Sequence, residues 1–481
     1  MKQLGNFING RFWPAAGGSF LDNIEPATGA VLARVPDSGP EDVEQAVAAA
    51  RQAFPEWSAR SVAERAARLE SMAGLIGTKA EELAALESTD TGKPLKLARE
   101  VDMERARANL KFFAGAMSHW ASAGHDMGPA GFNYTRREPL GVVALITPWN
   151  LPLYLLTWKL APALVTGNTV VAKPSELTPM TAHALCELAI EAGIPPGVFN
   201  LVHGTGPGCG QALVDHPAIR AVSFTGGTAT GKTIARSVAE RLIKLSLELG
   251  GKNPALVFAD ADLDKTIPGL VRAGFTNQGQ VCLCSSRILV HESIHDEIAQ
   301  KLSNAVKALK LGDPDESHTD QGALISSAHR DKVTGYIEQA RRDGGRILCG
   351  GEVIQPRGRC RGGYFVLPTV IIDLPPESRL HHDEIFGPVV TLQRFADEDE
   401  AVQLANSVDY GLAATVWTEN LSCAHRVAAR IQAGIVWVNN WLVRDLRTPF
   451  GGMKDSGLGR EGGHWSLEFF TEPKNVFIDG R

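Results

Sequence analysis

Residues 277–282, Asn-Gln-Gly-Gln-Val-Cys, have the features of a turn that presents a nucleophile. Cys282 follows Gly279, and glycine adopts backbone conformations that other residues resist. A free thiol has a pKa of about 8.5, so it needs help from its surroundings to react as the thiolate. Cys284 is an equal candidate by residue type, and a buried, inert cysteine is the ordinary alternative for both. The turn predicts a reactive thiol and leaves open which cysteine supplies it.

A glutamate and an asparagine stand at the ends of two predicted strands. Glu248 ends the strand 244–248, where partial desolvation raises the pKa of a carboxyl and makes it a usable base. Asn150 follows the strand 141–146, and its amide can donate a hydrogen bond to an oxyanion. The alternatives are a solvated glutamate, a glutamate paired with Lys252, and a turn asparagine between prolines.

Two further segments favour a bound nucleotide. Residues 173–176 follow a strand directly, where the lysine and glutamate can hold ribose hydroxyls and the glutamate repels a 2′-phosphate. Residues 223–228 lead from a strand into a helix, and their glycines suit a pyrophosphate bound at a helix N-terminus. The usual G-x-G-x-x-G pattern is absent from residues 204–210, because Cys209 occupies the last glycine position.

Strand and helix patterns alternate along the first half of the chain and must position these side chains. Residues 41–54 have an apolar helical face, with Pro40 near the start of the helix. A second helix is predicted after the strand 169–173, with Thr178 as its N-cap, Pro179 in its first turn and Gly193 just beyond its end. This alternation predicts a parallel sheet covered by helices on both faces. The other predicted strands are 141–146, 198–202, 221–224, 244–248 and 255–258.

A second set of elements begins after Gly250 and Gly251. This set predicts a second α/β domain with a boundary near Gly250, and the length of 481 residues fits two or three domains. Its predicted helices are residues 262–274, 293–309 and 398–406, and its predicted strands are 287–291, 365–372 and 389–395.

Composition and charge argue against several classes of function. The chain is 44% apolar, and 48 basic against 54 acidic side chains give a net charge of −6. This balance, without a basic run, disfavours nucleic acid or an anionic membrane as the main partner. Residues 1–10 lack the apolar core of a signal peptide, and prolines with Lys159 interrupt the most apolar stretch, so no membrane span is expected. Seven scattered cysteines predict reduced thiols, a cytoplasmic location and no structural metal.

The joint presence and order of these motifs resemble the aldehyde dehydrogenase superfamily over nearly the whole chain. The resemblance implies an α/β, aldehyde dehydrogenase-like fold with a Rossmann-type cofactor domain, an α/β catalytic domain and a β oligomerisation arm. It assigns 1–118 and 138–250 to NAD binding, 251–450 to catalysis, and 119–137 with 466–481 to the arm. The matching segments are residues 148–150, 173–176, 224–226, 248–252, 279–282, 384–388 and 449–452.

The same resemblance implies NAD-dependent oxidation of an aldehyde to a carboxylic acid through a cysteine thiohemiacetal and thioester. Cys282 is then the nucleophile and Glu248 the general base that activates water. Asn150 and the Cys282 backbone N–H form the oxyanion hole, and Glu461 relays protons to Glu248. Lys173 and Glu176 hold the adenosine ribose of the cofactor. Glu384 and Phe386 hold its nicotinamide end. The implied cofactor-binding residues are Ile146, Trp149, Lys173, Glu176, Phe224, Thr225, Gly226, Gly227, Thr228, Leu249, Gly250, Glu384 and Phe386.

One position departs from the family pattern. Many relatives carry serine where this chain has Gly227, so a hydroxyl that contacts phosphate is missing. Thr228 or backbone N–H groups can substitute for it. NAD remains the implied cofactor.

Two arginines precede the glycine turn near residue 450. Arginine binds a carboxylate through two parallel hydrogen bonds, so Arg444 or Arg447 can orient an acidic aldehyde unless it pairs with Asp445 or another acid. Residues 223–227, 280–287 and 443–452 resemble the 2-aminomuconic and 2-hydroxymuconic semialdehyde dehydrogenases. In that branch Arg444 and Arg105, the latter on a helix at the entrance, match arginines that bind the substrate carboxylate, and Asn150 also contacts substrate.

The resemblance favours 2-aminomuconic 6-semialdehyde as the substrate. The alternatives are 2-hydroxymuconic semialdehyde and a broader range of aliphatic or betaine-type aldehydes. Glu248 disfavours a CoA-acylating activity, because a water-activating base suits hydrolysis. A non-catalytic structural protein on this fold would have lost Cys282 or Glu248, and both are present. An open antiparallel edge in the arm predicts a homodimer or homotetramer.

Overall fold

The computed structural model describes residues 2–481 as a mixed α/β protein. Its helices are α1 (Pro40–Ala59), α2 (Val62–Thr78), α3 (Ala80–Thr91), α4 (Leu95–Leu97), α5 (Glu104–Ser118), α6 (Pro152–Val165), α7 (Met180–Glu191), α8 (Gln211–Asp215), α9 (Thr228–Ala239), α10 (Leu263–Phe275), α11 (His295–Lys307), α12 (Ser327–Arg342), α13 (Glu398–Asn406), α14 (Leu421–Arg430) and α15 (Gly463–Phe469). Within residues 2–481, no helix is both long and apolar enough to cross a bilayer.

The strands fall into two large sheets and several small ones. They are β1 (Lys2–Gln3), β2 (Asn6–Ile8), β3 (Arg11–Trp13), β4 (Phe20–Ile24), β5 (Val31–Pro36), β6 (Gly124–Asp126), β7 (Gly131–Pro139), β8 (Val142–Ile146), β9 (Thr169–Lys173), β10 (Phe199–Leu201), β11 (Ile219–Thr225), β12 (Lys244–Glu248), β13 (Asn253–Val257), β14 (Ser285–His291), β15 (Arg346–Cys349), β16 (Val353–Ile354), β17 (Phe365–Val366), β18 (Thr369–Ile372), β19 (Val389–Phe395), β20 (Tyr410–Gly411), β21 (Ala413–Trp417), β22 (Ile435–Val438), β23 (Met453–Lys454), β24 (Gly457–Leu458) and β25 (Thr471–Asp479).

The first large sheet has a parallel centre with a switch in chain direction. Its order is β24-β12-β11-β8-β9-β10-β2-β3, and the five strands from β12 to β10 are parallel to one another. From β8 the chain runs outward through β9 to β10 and then returns to β11 on the other side of β8. Ligands of such sheets bind at the carboxyl ends of the strands beside the switch. The fold therefore places a crevice after β8 and β11.

A short segment of the chain between β12 and β13 connects the first large sheet to the second. The order of the second sheet is β15-β18-β19-β14-β13-β21-β22, and only β15 pairs in the antiparallel sense. Strand β12 ends at Glu248 and β13 begins at Asn253. The carboxyl edge of the first sheet thus adjoins the amino edge of the second, where the loops before β14 and β19 lie.

Helix α6 lies beneath this junction and is almost entirely buried. Of its residues, only Leu155 is partly accessible. A helix that is apolar all round belongs in a core, and α6 packs against α5 and the strands β8 and β9. It follows β8 directly and carries side chains toward both large sheets.

A three-stranded antiparallel sheet projects from the molecule. Its order is β25-β7-β6, and β25 pairs with β7 from Thr471 opposite Pro139 to Asp479 opposite Gly131. Residues 463–469, between β24 and this arm, form α15, which packs against α5 and α6.

Most predicted elements appear with shifts of one or two residues at their ends, and two predictions are wrong. Thr178 does not cap α7: its hydroxyl donates to the Trp149 carbonyl at 3.2 Å, and Asp90 accepts the N–H of Met180 at 2.9 Å. The predicted strand 365–372 is two strands in different sheets, because β17 pairs with β16 while β18 lies between β15 and β19. Pro368, which has no N–H to donate to a ladder, stands at the break.

Candidate active site

Two adjoining cavities fill the crevice at the switch point. Their volumes are about 240 Å³ and about 230 Å³. We call the first the outer cavity and the second the inner cavity. They share the lining residues Pro148, Trp149, Thr225, Gly226 and Gly227, so they form one continuous crevice along the ends of β8 and β11.

The outer cavity contains the predicted ribose-binding pair. The Lys173 ammonium lies 3.2 Å from the Glu176 carboxylate and also donates to the Pro174 carbonyl at 3.0 Å. Lys173 is 3% exposed, while the Glu176 side chain is 35% exposed. The lysine therefore fixes the direction of a carboxylate that remains open to the cavity.

The inner cavity has an aromatic wall with an unusual backbone. Trp149 makes edge-on contacts with His329 and Phe386, each with ring centroids 5.3 Å apart. Phe386 has a φ of 62°, a left-handed conformation that is rare for a bulky residue. His329 Nε2 lies 2.7 Å from the Phe386 carbonyl oxygen and donates to it, which holds this backbone in place. Burial lowers the pKa of His329 to about 4, so the ring is neutral at pH 7.

Glu384 lines the inner cavity and contacts the segment between β12 and β13. Its carboxylate accepts a hydrogen bond from the Gly251 N–H at 2.9 Å, and burial raises its pKa. A Cβ on Gly250 would overlap this carboxylate. Glycine at this position thus leaves room for the glutamate against the backbone.

All but one of the predicted cofactor residues line the crevice. The exception is Thr228, the first residue of α9. Sequence reasoning missed His329 and Lys332, which line the inner cavity from α12. They lie more than 40 residues from the nearest motif before them and carry no local motif that marks them.

A third, narrower cavity meets the inner cavity at the nucleophile turn. Its volume is about 40 Å³, and Leu155 and Cys282 line both cavities. We call it the tunnel. Its walls are mostly apolar and consist of Leu97, Val101, Asp102, Leu151, Tyr154, Leu155, Trp158, Thr276, Asn277, Val281, Cys282, Leu283, Leu442, Arg444 and Phe450.

The structure separates the two candidate thiols. Cys282 is partly accessible between the tunnel and the inner cavity, whereas Cys284 is 6% exposed and lines none of these three cavities. Burial and the nearby carboxylates of Glu384 and Glu248 raise the pKa of the Cys282 thiol. Burial raises the pKa of Cys284 to about 12. Of the two thiols, only that of Cys282 borders these cavities.

The turn before Cys282 is left-handed. Asn277, Gln278 and Gly279 have φ values of 53°, 56° and 69°, and two of the three are not glycine. Residues in this region are strained and persist only where their surroundings hold them. Gln278 Nε2 donates to the Ala323 carbonyl at 2.8 Å, and a Cβ on Gly279 would overlap the Gly387 carbonyl. Contacts with the loops at Ala323 and Gly387 thus fix the path of the chain into Cys282.

Asn150 approaches this turn from the first sheet. Its amide Nδ2 donates to the Gln280 carbonyl at 2.9 Å, which uses one of its two N–H groups. The Cys282 N–H makes no hydrogen bond within residues 2–481. A second amide hydrogen and a backbone donor are therefore free near the thiol.

Glu248 is buried and lines none of the three cavities. It is 3% exposed, and neither carboxylate oxygen has a hydrogen-bond partner within the described residues. Burial and the charge of Glu461 raise its pKa well above the usual value. The alternative pairing with Lys252 is excluded, because the Lys252 ammonium also has no partner there.

Glu461 belongs to a polar group next to Glu248. Its Oε1 accepts hydrogen bonds from Lys159 Nζ at 2.6 Å and from Ser223 Oγ at 3.1 Å. Lys159 lowers the pKa of Glu248 and so opposes the effect of burial. The two carboxylates and the ammonium thus form one buried charge cluster.

The three arginines have different surroundings. Arg447 is exposed and pairs with Asp445 at 2.6 Å, as the alternative reading of this arginine stated. The guanidinium carbon of Arg444 lies 4.0 Å from the Phe450 ring centroid and 5.3 Å from that of Trp158, and its buried Nη2 has no hydrogen-bond partner. Arg105 does not line the tunnel, but it lies 5.8 Å from the ring of Tyr154, which does.

This fold, with its crevice, is that of an NAD-dependent aldehyde oxidoreductase. The chain belongs to the aldehyde dehydrogenase family, whose model matches residues 12–476. The predicted family and enzyme class are thereby confirmed. The fold class is confirmed by a solved aldehyde dehydrogenase from Bacillus cereus, which aligns with a TM-score of 0.96 and 41% identity over 99% of this chain and 97% of that one.

Two curated relatives are similar over nearly the whole chain. A 2-aminomuconic semialdehyde dehydrogenase from Bos taurus is 52% identical, covering 99% of this chain and 98% of the relative. A 2-hydroxymuconic semialdehyde dehydrogenase from Pseudomonas sp. strain CF600 is 47% identical, covering 99% of this chain and 100% of the relative. The predicted branch of the family is therefore confirmed.

Proposed function

We propose that this protein oxidises 2-aminomuconic 6-semialdehyde to the dicarboxylic acid with NAD. The observation that carries the proposal is a tunnel with the Cys282 thiol at one end and an unpaired, half-buried Arg444 on its wall. Such a tunnel suits an aldehyde that carries a carboxylate. The relative with 52% identity supports the amino compound, and the 47% identical relative supports 2-hydroxymuconic semialdehyde as the second candidate.

The crevice has the shape and chemistry that NAD requires. Its two cavities are continuous, the buried Thr225 Oγ1 on its wall lacks a partner, and a Cβ on Gly226 would overlap the Phe224 ring. The B. cereus relative is described as an NAD+ complex, which supports the same cofactor here. Glu176 would hold the adenosine ribose and repel a 2′-phosphate, while Glu384 and Phe386 would hold the nicotinamide end. Bound NAD supplies the hydride acceptor.

Cys282 begins the reaction and carries the covalent intermediates. Its thiolate adds to the aldehyde carbon and forms a thiohemiacetal, whose oxyanion accepts hydrogen bonds from Asn150 Nδ2 and the Cys282 N–H. Loss of hydride from that carbon leaves a thioester on the cysteine. Removing one oxyanion donor typically costs about 10²-fold to 10³-fold in rate.

Glu248 completes the cycle by hydrolysis. Burial raises its pKa, which makes its carboxylate a stronger base than an exposed one, and it takes a proton from the water that attacks the thioester. The carboxylic acid leaves and the Cys282 thiolate is restored. Glu461 and Lys159, which share the buried charge cluster, return the proton from Glu248 toward solvent.

The proposal includes an assembly and a location. We assign residues 1–118 and 138–250 to cofactor binding, 251–450 to catalysis, and 119–137 with 466–481 to an arm that forms a homodimer or homotetramer. The two large sheets and the projecting arm support this division.

Seven cysteines without a disulfide among the described residues support a reducing compartment such as the cytoplasm.

An aldehyde panel tests the substrate, with NADH absorbance as the readout and NADP as the alternative cofactor. Arg444→Met should raise KM for a carboxylate-bearing semialdehyde by about 10-fold to 100-fold, because a hydrogen bond to a charged group contributes roughly 1.5–3 kcal/mol. A neutral aldehyde should lose far less. Arg447→Met is the matched control and should change neither value. Parallel losses on both aldehydes would show that Arg444 is structural, and faster turnover with NADP would contradict the cofactor assignment.

A further inference from the structure

A fully buried ion pair lies beside the tunnel and has no part in the mechanism so far. Lys93 and Asp102 are both 0% exposed, and the Lys93 ammonium lies 2.6 Å from Asp102 Oδ2. Glu87 stands 3.9 Å from the same ammonium. Removing two charges from water is expensive, and a buried pair is therefore weak evidence for a stabilising role alone.

The third contact of the ammonium points to its role. Lys93 Nζ donates to the backbone carbonyl of Asn150 at 3.0 Å. The same carbonyl accepts a second hydrogen bond, from Asn277 Nδ2 at 3.2 Å. The peptide group of the oxyanion donor is thus held from both domains.

The contacts close into a ring around the oxyanion donor. Asn277 Nδ2 also lies 3.2 Å from the Gln280 carbonyl, which accepts the side-chain amide of Asn150. Asn150 is therefore fixed at its backbone and at its side chain by partners that belong to the nucleophile turn. Lys93 bonds to this ring at the Asn150 carbonyl and brings a charge to it, and Asp102 fixes the direction of the Lys93 ammonium.

The backbone on either side of Lys93 and Asp102 places these two side chains. Lys93 follows Gly92, which ends α3 with a φ of 76°, and the Gly92 carbonyl accepts the Ala323 N–H at 2.9 Å. Asp102 lies in the π-helical turn Ala98–Met103 and lines the tunnel together with Val101. Turns of this kind occur frequently at functional sites.

We propose that Lys93, oriented by Asp102, is a positioning residue that holds Asn150 in place to stabilise the oxyanion on the Cys282 adduct. This inference rests on the proposed function and deepens it. Lys93 acts on the reaction only through Asn150, since it lines neither the crevice nor the tunnel. A displacement of about 1 Å at a reacting group can cost roughly 10²-fold in rate.

A double-mutant cycle tests the proposal. Loss of Lys93 alone would leave an unpaired acid in the core, so the variant is Lys93→Met with Asp102→Asn, which removes both charges together. It should lower kcat by roughly 10-fold to 100-fold. KM for NAD should stay within about 2-fold, because Asn150 does not line the outer cavity proposed for the adenosine ribose. The rate of Cys282 alkylation by iodoacetamide should also stay within about 2-fold, because alkylation of a thiolate develops no oxyanion for Asn150 to stabilise. Lys96→Met, which removes an exposed lysine from the same segment, should change none of these values.

The decisive comparison is the same change in an Asn150→Ala background. There the added loss in kcat should be below about 2-fold, because the group that Lys93 positions is already gone. Equal losses in both backgrounds would overturn the proposal and show a general structural role. Asp102→Asn alone is the milder variant should the double variant fail to fold, and it should show a smaller loss that also vanishes with Asn150→Ala.

Crystal structures of the variants separate this proposal from the proposed function. An inactive wild type would refute the proposed function, and the positioning role would then be judged from the coordinates. Displacement of the Asn150 carbonyl and loss of the hydrogen bond from its side chain to Gln280 in the Lys93→Met/Asp102→Asn variant would support the role. An unchanged Asn150 would overturn it.

Discussion

The sequence Cys282-Leu283-Cys284 places two thiols of the same chemistry in different surroundings. Cys282 borders the tunnel and the inner cavity, while Cys284 is buried and lies 3.8 Å from the Thr276 carbonyl. We expect Cys282→Ser to abolish NAD-dependent aldehyde oxidation, because a hydroxyl is a far weaker nucleophile than a thiolate. Cys284→Ser is the matched control and should keep activity within about 3-fold, because Cys284 lines none of the three cavities.

NADH absorbance during turnover measures both variants, and single-turnover traces report acylation directly. Equal loss of activity in the two variants would contradict the assignment of the nucleophile. Retained activity in Cys282→Ser would contradict the covalent mechanism itself.

Candidate residues with reactive side chains could be predicted from the sequence. Residues that hold other residues in place could not. Cys282, Glu248 and Asn150 could be chosen as candidates because each combines a reactive group with a strand end or a glycine turn. Lys93 and His329 carry no such signal, since Asn150 lies 57 residues from Lys93 along the chain and Phe386 lies 57 residues from His329. Contacts of this kind depend on how the two sheets face each other, which no local pattern contains.

At the scale of elements, the nucleophile turn depends on a glycine that faces another backbone. Gly279 has a φ of 69°, and a Cβ there would overlap the Gly387 carbonyl. We expect Gly279→Ala to destabilise the fold by about 1–3 kcal/mol, from left-handed strain and overpacking. It should also lower kcat by roughly 10²-fold, because the turn that carries Cys282 must shift.

Gly335→Ala is the matched control for this change. Gly335 lies inside α12, and a Cβ there has no atom within 4 Å, so the substitution should stabilise the helix by up to about 1 kcal/mol. Thermal unfolding and kcat measured on both variants make the test. Wild-type stability and turnover in Gly279→Ala would show that the turn tolerates a side chain.

Local patterns also set a limit on predicting elements. Apolar runs and turn residues were sufficient to find strands such as β9, β12 and β19, whose predicted ends match the structure. They were insufficient at residues 365–372, where a single apolar run serves two sheets. The choice between sheets is made by tertiary pairing, and Pro368 permits the break without dictating it.

At the scale of the whole molecule, the arm leaves an edge and apolar side chains without a cover. Strand β25 is paired with β7 on one side only, and Phe132, Phe477 and Ile478 are 43%, 49% and 54% exposed. Open edges with apolar residues promote association unless they are paired or charged. The arm is therefore expected to dock on another copy of this chain.

Light scattering coupled to size exclusion should give the mass of a dimer or tetramer for the wild type. Phe477→Asp with Ile478→Asp should shift the protein to a smaller species, because charges on the two faces of this strand cannot be buried without partners. Leu421→Asp replaces an apolar side chain that is 73% exposed on α14, away from the arm, and should leave the mass unchanged. A monomeric wild type would contradict the homo-oligomer. An unchanged mass in the arm variant would place the interface elsewhere on the surface.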